Sequence, residues 1–551
     1  MFVVTPLKSP YRVNWLTSSS FVIAVLLALP IFVIAGFVFS GSADVFTHLY
    51  HTVLFDYVSN SLLLMLGVGF GVLLLGIPTA WLTSVCDFPG RRIFAWALLL
   101  PLAVPAYIIA YTYTGLLDFA GPVQMAIREL TGLGYGEYWF FEIRSLAGAI
   151  LMLALVLYPY VYLLSRAAFL EQSASTLEVS RTLGYNQWQG LFKLALPLAR
   201  PAIIAGLTLA LMETLADYGT VQYFGVNTFT TGIFRTFYGF GDAVAAAQLA
   251  VCLLSFVALL VLVEKYSRRK SRYHSSAEFK AKAKLIYLSG WKAAVAFLIC
   301  LLPIVFGFLI PAGQLAFWCL TQADLSDGSF FQLAWNSFYL AFLAAIIAVS
   351  FALILAYASR LNPKKVVRFS VATAGLGYAL PGTIIAIGVI IPFAWMDHQL
   401  IAMAKKWFSV DIGLVLSGTL VALLFAYTVR FLAVSLGAVQ SGLDKIKPSI
   451  DGAARTLGYT PMQVLKQIHV PLMKSSVLTA LLIVFVDVLK ELPATLILRP
   501  FNFNTLAVRA FELASDERLI DAAPASLLIV AVGLIPVILL SRSIAKGRAG
   551  S

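Results

Sequence analysis

The feature that most limits what this chain can fold into is a series of long apolar blocks, several of them without a single charge. About twenty such residues, wound as a helix, cross the roughly 30 Å hydrocarbon core of a bilayer. Twelve blocks can be placed at about 21-40, 61-84, 94-114, 146-165, 201-222, 243-263, 292-312, 337-357, 370-393, 412-435, 475-498 and 523-541. A membrane β-barrel would alternate every second residue in short strands, and these continuous blocks do not. Only 12% of the 551 residues are charged and 60% are hydrophobic, whereas about a quarter of a soluble domain is charged. The expected fold class is an all-α polytopic membrane protein of about 12 transmembrane helices, with the lipid bilayer as its solvent.

The formal net charge of +13 would suit a nucleic-acid binder, but its distribution excludes that class. With the N-terminus placed in the cytoplasm, most of the Lys and Arg and few of the Asp and Glu fall in cytoplasmic segments. This is the positive-inside bias, and it places both termini in the cytoplasm. Lys8 and Arg12 precede the first block, but no small-residue cleavage site follows before Ser40, so the block reads as a retained span. Cys86, Cys252, Cys300 and Cys319 have neither metal-ligand spacing nor the pattern of a disulfide framework.

An internal duplication organises the rest. Arg181-Thr182-Leu183-Gly184-Tyr185 recurs as Arg455-Thr456-Leu457-Gly458-Tyr459, and Pro197 recurs as Pro471, both at an offset of 274. Asn60-Ser61 recurs as Asn336-Ser337 and Pro105 as Pro381, at an offset of 276. Landmarks that hold their spacing over so long a stretch indicate a duplicated module. Six spans per module is an even number, so both copies enter the membrane the same way round and form a parallel repeat. The modules are read as 1-272 and 292-551, joined by a basic cytoplasmic linker at 273-291.

Each module carries one long cytoplasmic loop, at 171-200 and 444-474, with the same internal order. A polar stretch leads to the shared five-residue string, then to an amphipathic segment, then to a proline at the start of the next span. Gly184 and Gly458 each precede that proline by 13 residues. The apolar spacing in Gln187-Leu196 and Pro461-Val470 suits short helices, and the glycines suit the bend that separates two helical pieces. Two matched short helices form a docking surface for a two-fold partner.

These paired segments resemble the EAA loop in the permease subunits of ATP-binding-cassette importers. The likeness runs from Glu178 through Gly184 to Pro197 and from Gly452 through Gly458 to Pro471. The first copy keeps only the Glu of the Glu-Ala-Ala, as Glu178, and the second has Gly452 there with Asp451 one position earlier. The resemblance implies that the loops dock two ATPase subunits, with Glu178, Arg181, Gly184, Pro197, Asp451, Arg455, Gly458 and Pro471 as ATPase-coupling residues. Two six-span modules in one chain are similar to the fused permeases of the iron(III) importer group, as is the string from Lys490 to Thr495 followed by Leu498 to Leu506. That group implies a bacterial inner-membrane location and an extracytoplasmic binding protein that delivers the substrate. ATP and Mg would be bound by the partner ATPase, with no cofactor in this chain, because no Gly-rich phosphate-binding string ending in Gly-Lys-Ser or Gly-Lys-Thr occurs. An enzyme is accordingly not expected.

Four intramembrane carboxylates are candidates for the translocation path. Glu213 and Asp217 lie on the fifth block and Asp487 and Glu491, at the same offset, on the eleventh. A spacing of four places each pair on one helical face, and carboxylates avoid lipid. Their oxygens suit a hard cation, and they equally suit gating or hydrogen bonding between helices. No resident metal site can be assigned. Pro101, Pro105 and Pro381-Gly382 mark bends. Tyr107, Tyr111 and Tyr113 read as an interfacial belt, and His398 and His469 as surface residues. The segments 115-145, 223-242, 313-336, 394-411 and 499-522 are left to receive the binding protein. Importers of thiamine, polyamine, phosphonate or sulfate remain alternatives to iron(III). A secondary transporter, or a membrane enzyme or scaffold, is a further alternative.

Overall fold

The structure, a computed structural model, describes all residues except 1–13, 38–42, 135, 183–186, 270–284, 323–328, 363 and 550–551. It is an all-α membrane protein. Ten helices are long and apolar enough to span a bilayer: Trp15–Gly36, Leu54–Val85, Leu146–Leu170, Leu191–Ala216, Ala243–Tyr266, Trp291–Thr321, Phe330–Leu361, Gly382–Phe408, Leu420–Asp444 and Leu519–Leu539. Two further pairs, Arg91–Ala103 with Ala106–Thr131 and Pro461–Leu472 with Lys474–Leu489, pass the same test only jointly and bend by 89° and 83°. Counting each pair as one span gives twelve, in keeping with two fused six-span repeats. The third block is therefore broken between Ala103 and Ala106, where Pro105 marks a bend, and the helix of the eleventh block follows a bend just ahead of Lys474. The one sheet among the described residues is a two-residue parallel bridge of Cys86–Asp87 with Ile286–Tyr287.

Contacts divide the chain into two compact units that interleave along the sequence. One comprises Met1–Val33, Phe338–Leu380 and Gly388–Val488, the other Ile34–Ser337, Pro381–Ile387 and Leu489–Ser551.

In the larger unit, small residues let helix backbones approach closely, which is how helices associate where lipid removes any hydrophobic advantage. A Cβ on Gly206 would lie 2.8 Å from Val161 Cα, and one on Gly71 would lie 2.7 Å from Ala154 Cβ. The broken segment at 91–117 runs as a short helix Arg91–Ala97, a 3₁₀ turn Leu100–Ala103, and a helix Ala106–Leu117 started by Pro105. A break at membrane depth survives only if its backbone groups find partners. Tyr158 donates its hydroxyl hydrogen to the Leu98 carbonyl and Tyr162 to the Ala95 carbonyl, each at 2.9 Å.

The same break recurs in the second repeat as Lys365–Ala374, a 3₁₀ turn Gly375–Ala379, and the helix begun by Gly382. The first span joins the smaller unit through its N-terminal part, where Asn362 Nδ2 donates to Thr17 Oγ1 at 2.9 Å. Leu16, Tyr357, Val367 and Leu465 form a small core beside it.

Candidate functional site

Two regions carry the predicted residues. The first is the repeated segment between the fourth and fifth spans of each module. In the second copy it is fully described. Helix Pro448–Thr456 ends in a Schellman arrangement, with Gly458 N donating to Arg455 O at 3.0 Å and Tyr459 N to Ala454 O at 3.1 Å. That ending needs a left-handed residue, and Gly458 supplies it with φ of +83°. Thr460 and Gln463 then start the next helix by a reciprocal capping box, Thr460 N donating to Gln463 Oε1 at 2.8 Å, with Pro461 at its first position. A π-helical stretch, Val464–His469, follows before Pro471. In the first copy the π-helical stretch is Leu191–Ala195, immediately before the helix that carries Pro197 in its first turn. Glu178 and Arg181 lie on the Leu146–Thr182 helix, their side chains outside the described set, and Gly184 lies outside the described residues.

Arg455 is on the Pro448–Thr456 helix with Asp451, one turn before it. Asp451 turns inward and is only 9% exposed. Arg360, at the end of the Phe330–Leu361 span, donates to Asp451 Oδ2 from Nε at 2.9 Å and from Nη2 at 2.8 Å. The same guanidinium also bonds the carbonyls of Leu443 and Ile446. His469 Nε2 lies 2.9 Å from Asp451 Oδ1, close enough for charge interaction though off the line of a good hydrogen bond. Burial favours the neutral acid, but the contacts from His469 and Arg360 outweigh it and hold the Asp451 carboxyl below its ordinary range. His469 is a correction to the sequence reading: it is fully buried, edge to face with Tyr357 at 5.3 Å. Nothing in its sequence neighbourhood announces Tyr357 as its neighbour.

The second region lies at the ends of the fifth and eleventh blocks. The fifth-block helix stops at Ala216, so Asp217 terminates it and does not share a helical face with Glu213. Asp217 instead caps the short helix Gly219–Tyr223: Oδ1 accepts from the N–H of Thr220 and of Val221 at 3.1 Å each, and Oδ2 from the Thr220 hydroxyl at 3.0 Å. The eleventh-block helix stops at Leu489, and Glu491 does the same work for Pro493–Leu498. Its Oε1 accepts from Ala494 N and its Oε2 from Thr495 N, both at 3.0 Å, with the Thr495 hydroxyl at 2.8 Å. A carboxylate at a helix start meets N–H groups that otherwise have no partner. That explains why both helices end where they do. Glu213 and Asp487, one turn earlier, are half-buried.

The duplicated Asn-Ser pairs anchor the loops beyond these caps. Asn60 Nδ2 donates to Asn227 O at 2.9 Å, and Asn336 Nδ2 to Asn504 O at 3.4 Å. Ser61 Oγ accepts from Phe229 N at 3.4 Å, and Ser337 Oγ from Leu506 N at 2.7 Å. Tyr107, Tyr111 and Tyr113 are buried here and do not form the expected interfacial belt. Tyr113 donates to the Phe306 carbonyl at 2.7 Å, and the ring of Tyr107 lies against Gly219. They pack behind the break because Ala106–Leu117 continues from a bent pair and does not rise straight to an interface. No group of three or more His, Cys, Asp or Glu suited to a metal ion occurs among the described residues.

Apolar spans broken at matched, carboxylate-capped points, together with a repeated segment ahead of each fifth span, define a duplicated polytopic membrane protein. Residues 14–273 match the family model described as binding-protein-dependent transport system inner membrane component. The Fe(3+)-transport system permease protein FbpB 2 of Haemophilus influenzae is 26% identical over 543 residues, covering 98% of this chain and 99% of that protein. The molybdenum transport system permease protein ModB of Escherichia coli K12 is 25% identical over 229 residues, 40% of this chain and 95% of its own. The sulfate transport system permease protein CysT of Escherichia coli K12 is 26% identical over 208 residues, 35% of this chain and 71% of its own. Over these stretches the chain is similar to permease subunits of binding-protein-dependent transport systems.

Proposed function

We propose that this chain forms the transmembrane path of an iron(III) importer in a bacterial inner membrane, with both termini cytoplasmic. The observation that carries the substrate is coverage. The similarity to the Fe(3+) permease runs over 98% of the chain, whereas the molybdenum and sulfate relatives match 40% and 35% of it. An extracytoplasmic binding protein delivers the cation to the outer loops. Two ATPase subunits dock on the segments 171-200 and 444-474, one per module, with modules 1-272 and 292-551 joined by the linker 273-291.

Transport proceeds by alternating access. ATP shifts the permease between outward- and inward-open arrangements only insofar as the ATPases contact the repeated segments differently in the two states. Gly458 gives the second segment its sharp bend, and Pro197 and Pro471 pass the displacement of their segments into the fifth and eleventh elements. The carboxylates divide by role. Asp217 and Glu491 have both oxygens engaged by their own helix starts, which supports a part in shaping the breaks. Glu213 and Asp487 are candidates for contact with a passing hard cation. Weak, transient contact suits a conduit, because tight binding slows release.

The test is reconstitution of the chain in vesicles with its ATPase and binding protein, comparing ATP-dependent uptake of iron(III), molybdate, sulfate, thiamine and a polyamine. Iron-selective uptake that needs both partners is expected. Uptake of another solute would keep the importer and discard iron, and ATP-independent uptake would make the chain a secondary transporter.

A further inference from the structure

The two repeated segments have the same sequence landmarks but different foundations. In the second copy, Arg360, Asp451 and His469 join three separate elements at one buried point: the end of the Phe330–Leu361 span, the helix Pro448–Thr456, and the π-helical stretch that leads into the bent pair. The Arg360 guanidinium also holds the carbonyls of Leu443 and Ile446, at and just beyond the end of the Leu420–Asp444 helix. Positions matched by the repeat offsets in the first copy are Ser84, Leu177 and Ala195, none of which can form an ion pair. Ser84 spends its hydroxyl on the Ala80 carbonyl in its own helix.

We infer that Arg360, Asp451 and His469 are positioning residues that fix the second repeated segment to the spans, so that this segment transmits ATPase motion as one piece with the Phe330–Leu361 helix. The inference rests on the reading of the chain as an importer permease. It also reassigns Asp451: its carboxylate faces Arg360 and His469 inside the chain, and so acts on the ATPase through the placement of its helix.

The physical basis is the cost of leaving one member of such a cluster alone. A buried charge stripped of its partner is strongly unfavourable, whereas replacing the whole set by packed apolar side chains is often neutral. Arg is suited to the centre because its planar fork reaches a carboxylate and two carbonyls at once, which Lys cannot do. A segment held this way has few alternative placements.

The experiment uses the full chain reconstituted with its ATPase and binding protein. Three quantities are read for each variant: ATPase retained on purification, ATP hydrolysis stimulated by the loaded binding protein, and uptake per ATP. For Asp451→Asn and Arg360→Met, uptake per ATP should fall about tenfold, at the upper end of what residues in a coupling network carry, while the ATPase stays bound. The triple variant Arg360→Met, Asp451→Leu, His469→Leu should recover most of the loss, because no buried charge is then left alone. Arg360→Lys, which keeps the charge but not the fork, carries the test if a neutral variant fails to accumulate in the membrane, and it too should lower uptake per ATP. Normal uptake per ATP in the single variants would overturn the inference. So would a triple variant as inactive as Asp451→Asn and stripped of its ATPase, since that pattern belongs to a direct ATPase contact. If the unaltered chain retains no ATPase, the importer reading itself fails, and that outcome is separate from the others.

Discussion

Asp217 and Glu491, 274 residues apart in the sequence, cap equivalent short helices, each with one oxygen on a backbone N–H and the other on a threonine hydroxyl. The match extends the duplication from shared letters to shared bonds, although the two side chains differ by a methylene. Removing one of these acceptors should therefore damage the break itself. Glu491→Gln leaves one carbonyl oxygen for three donors and should cost about 1–3 kcal/mol, the penalty for unmet buried hydrogen-bonding groups. Thermal unfolding of the purified chain in detergent measures it. A variant of unaltered stability that transports poorly would instead place Glu491 in contact with the cargo.

Ser61 and Ser337 should not be equally sensitive. The Ser337 bond to Leu506 N is 2.7 Å long and that of Ser61 to Phe229 N is 3.4 Å. Ser337→Ala leaves a buried N–H without its acceptor and should destabilise by about 1–2 kcal/mol, with Ser61→Ala costing clearly less. Paired melting curves of the two variants decide whether the difference in length carries energy.

Gly458 is open to solvent on its Cβ side, with nothing within 4 Å. A side chain there would meet no clash, only the backbone penalty of φ at +83°, about 1–2 kcal/mol for most residues and less for Asn. Gly458→Val should insert normally and lose ATP-coupled uptake, while Gly458→Asn should keep most of it. Equal uptake in both would remove the bend from the mechanism.

The Asp451 cluster has a defined acid limit. Its folded carboxyl lies below the usual 3.8, because contacts from His469 and Arg360 outweigh burial. A folded value below the unfolded one makes the stabilisation complete above pH 3.8 and progressively lost as the pH falls through the lower folded value. Melting temperatures of the natural chain and of Asp451→Asn should differ at neutral pH and converge as the pH falls below the ordinary carboxylate range. A gap unchanged across that range would mean that Asp451 contributes by packing alone.

Much of this architecture is legible from residue order. Block length gives the spans, the repeated Asn-Ser, Pro and Arg-Thr-Leu-Gly-Tyr landmarks give the duplication, and the glycine of the last string marks the bend that Gly458 makes. What is lost is where a helix stops inside an apolar block. Hydropathy is blind to a cap, so Asp217 reads as part of a span when its carboxylate actually ends one helix and starts another. The cue was present as Asp217 followed three residues later by Thr220, a pattern of local hydrogen bonding. His469 was hidden for the opposite reason. Its neighbours Tyr357 and Asp451 lie on other helices, and only folding brings such a set together.

The interleaving of the two compact units bears on how the chain is made. The smaller unit takes its first helix from residues before Val33 and completes itself only at Val488, and the larger unit draws on residues after Leu489. A ribosome that has delivered the first six spans has therefore finished neither. Early helices must wait in the bilayer for partners synthesised hundreds of residues later. A cut within 273-291 would divide the residues of both units between two fragments, so covalent continuity keeps the parts of each unit on one chain.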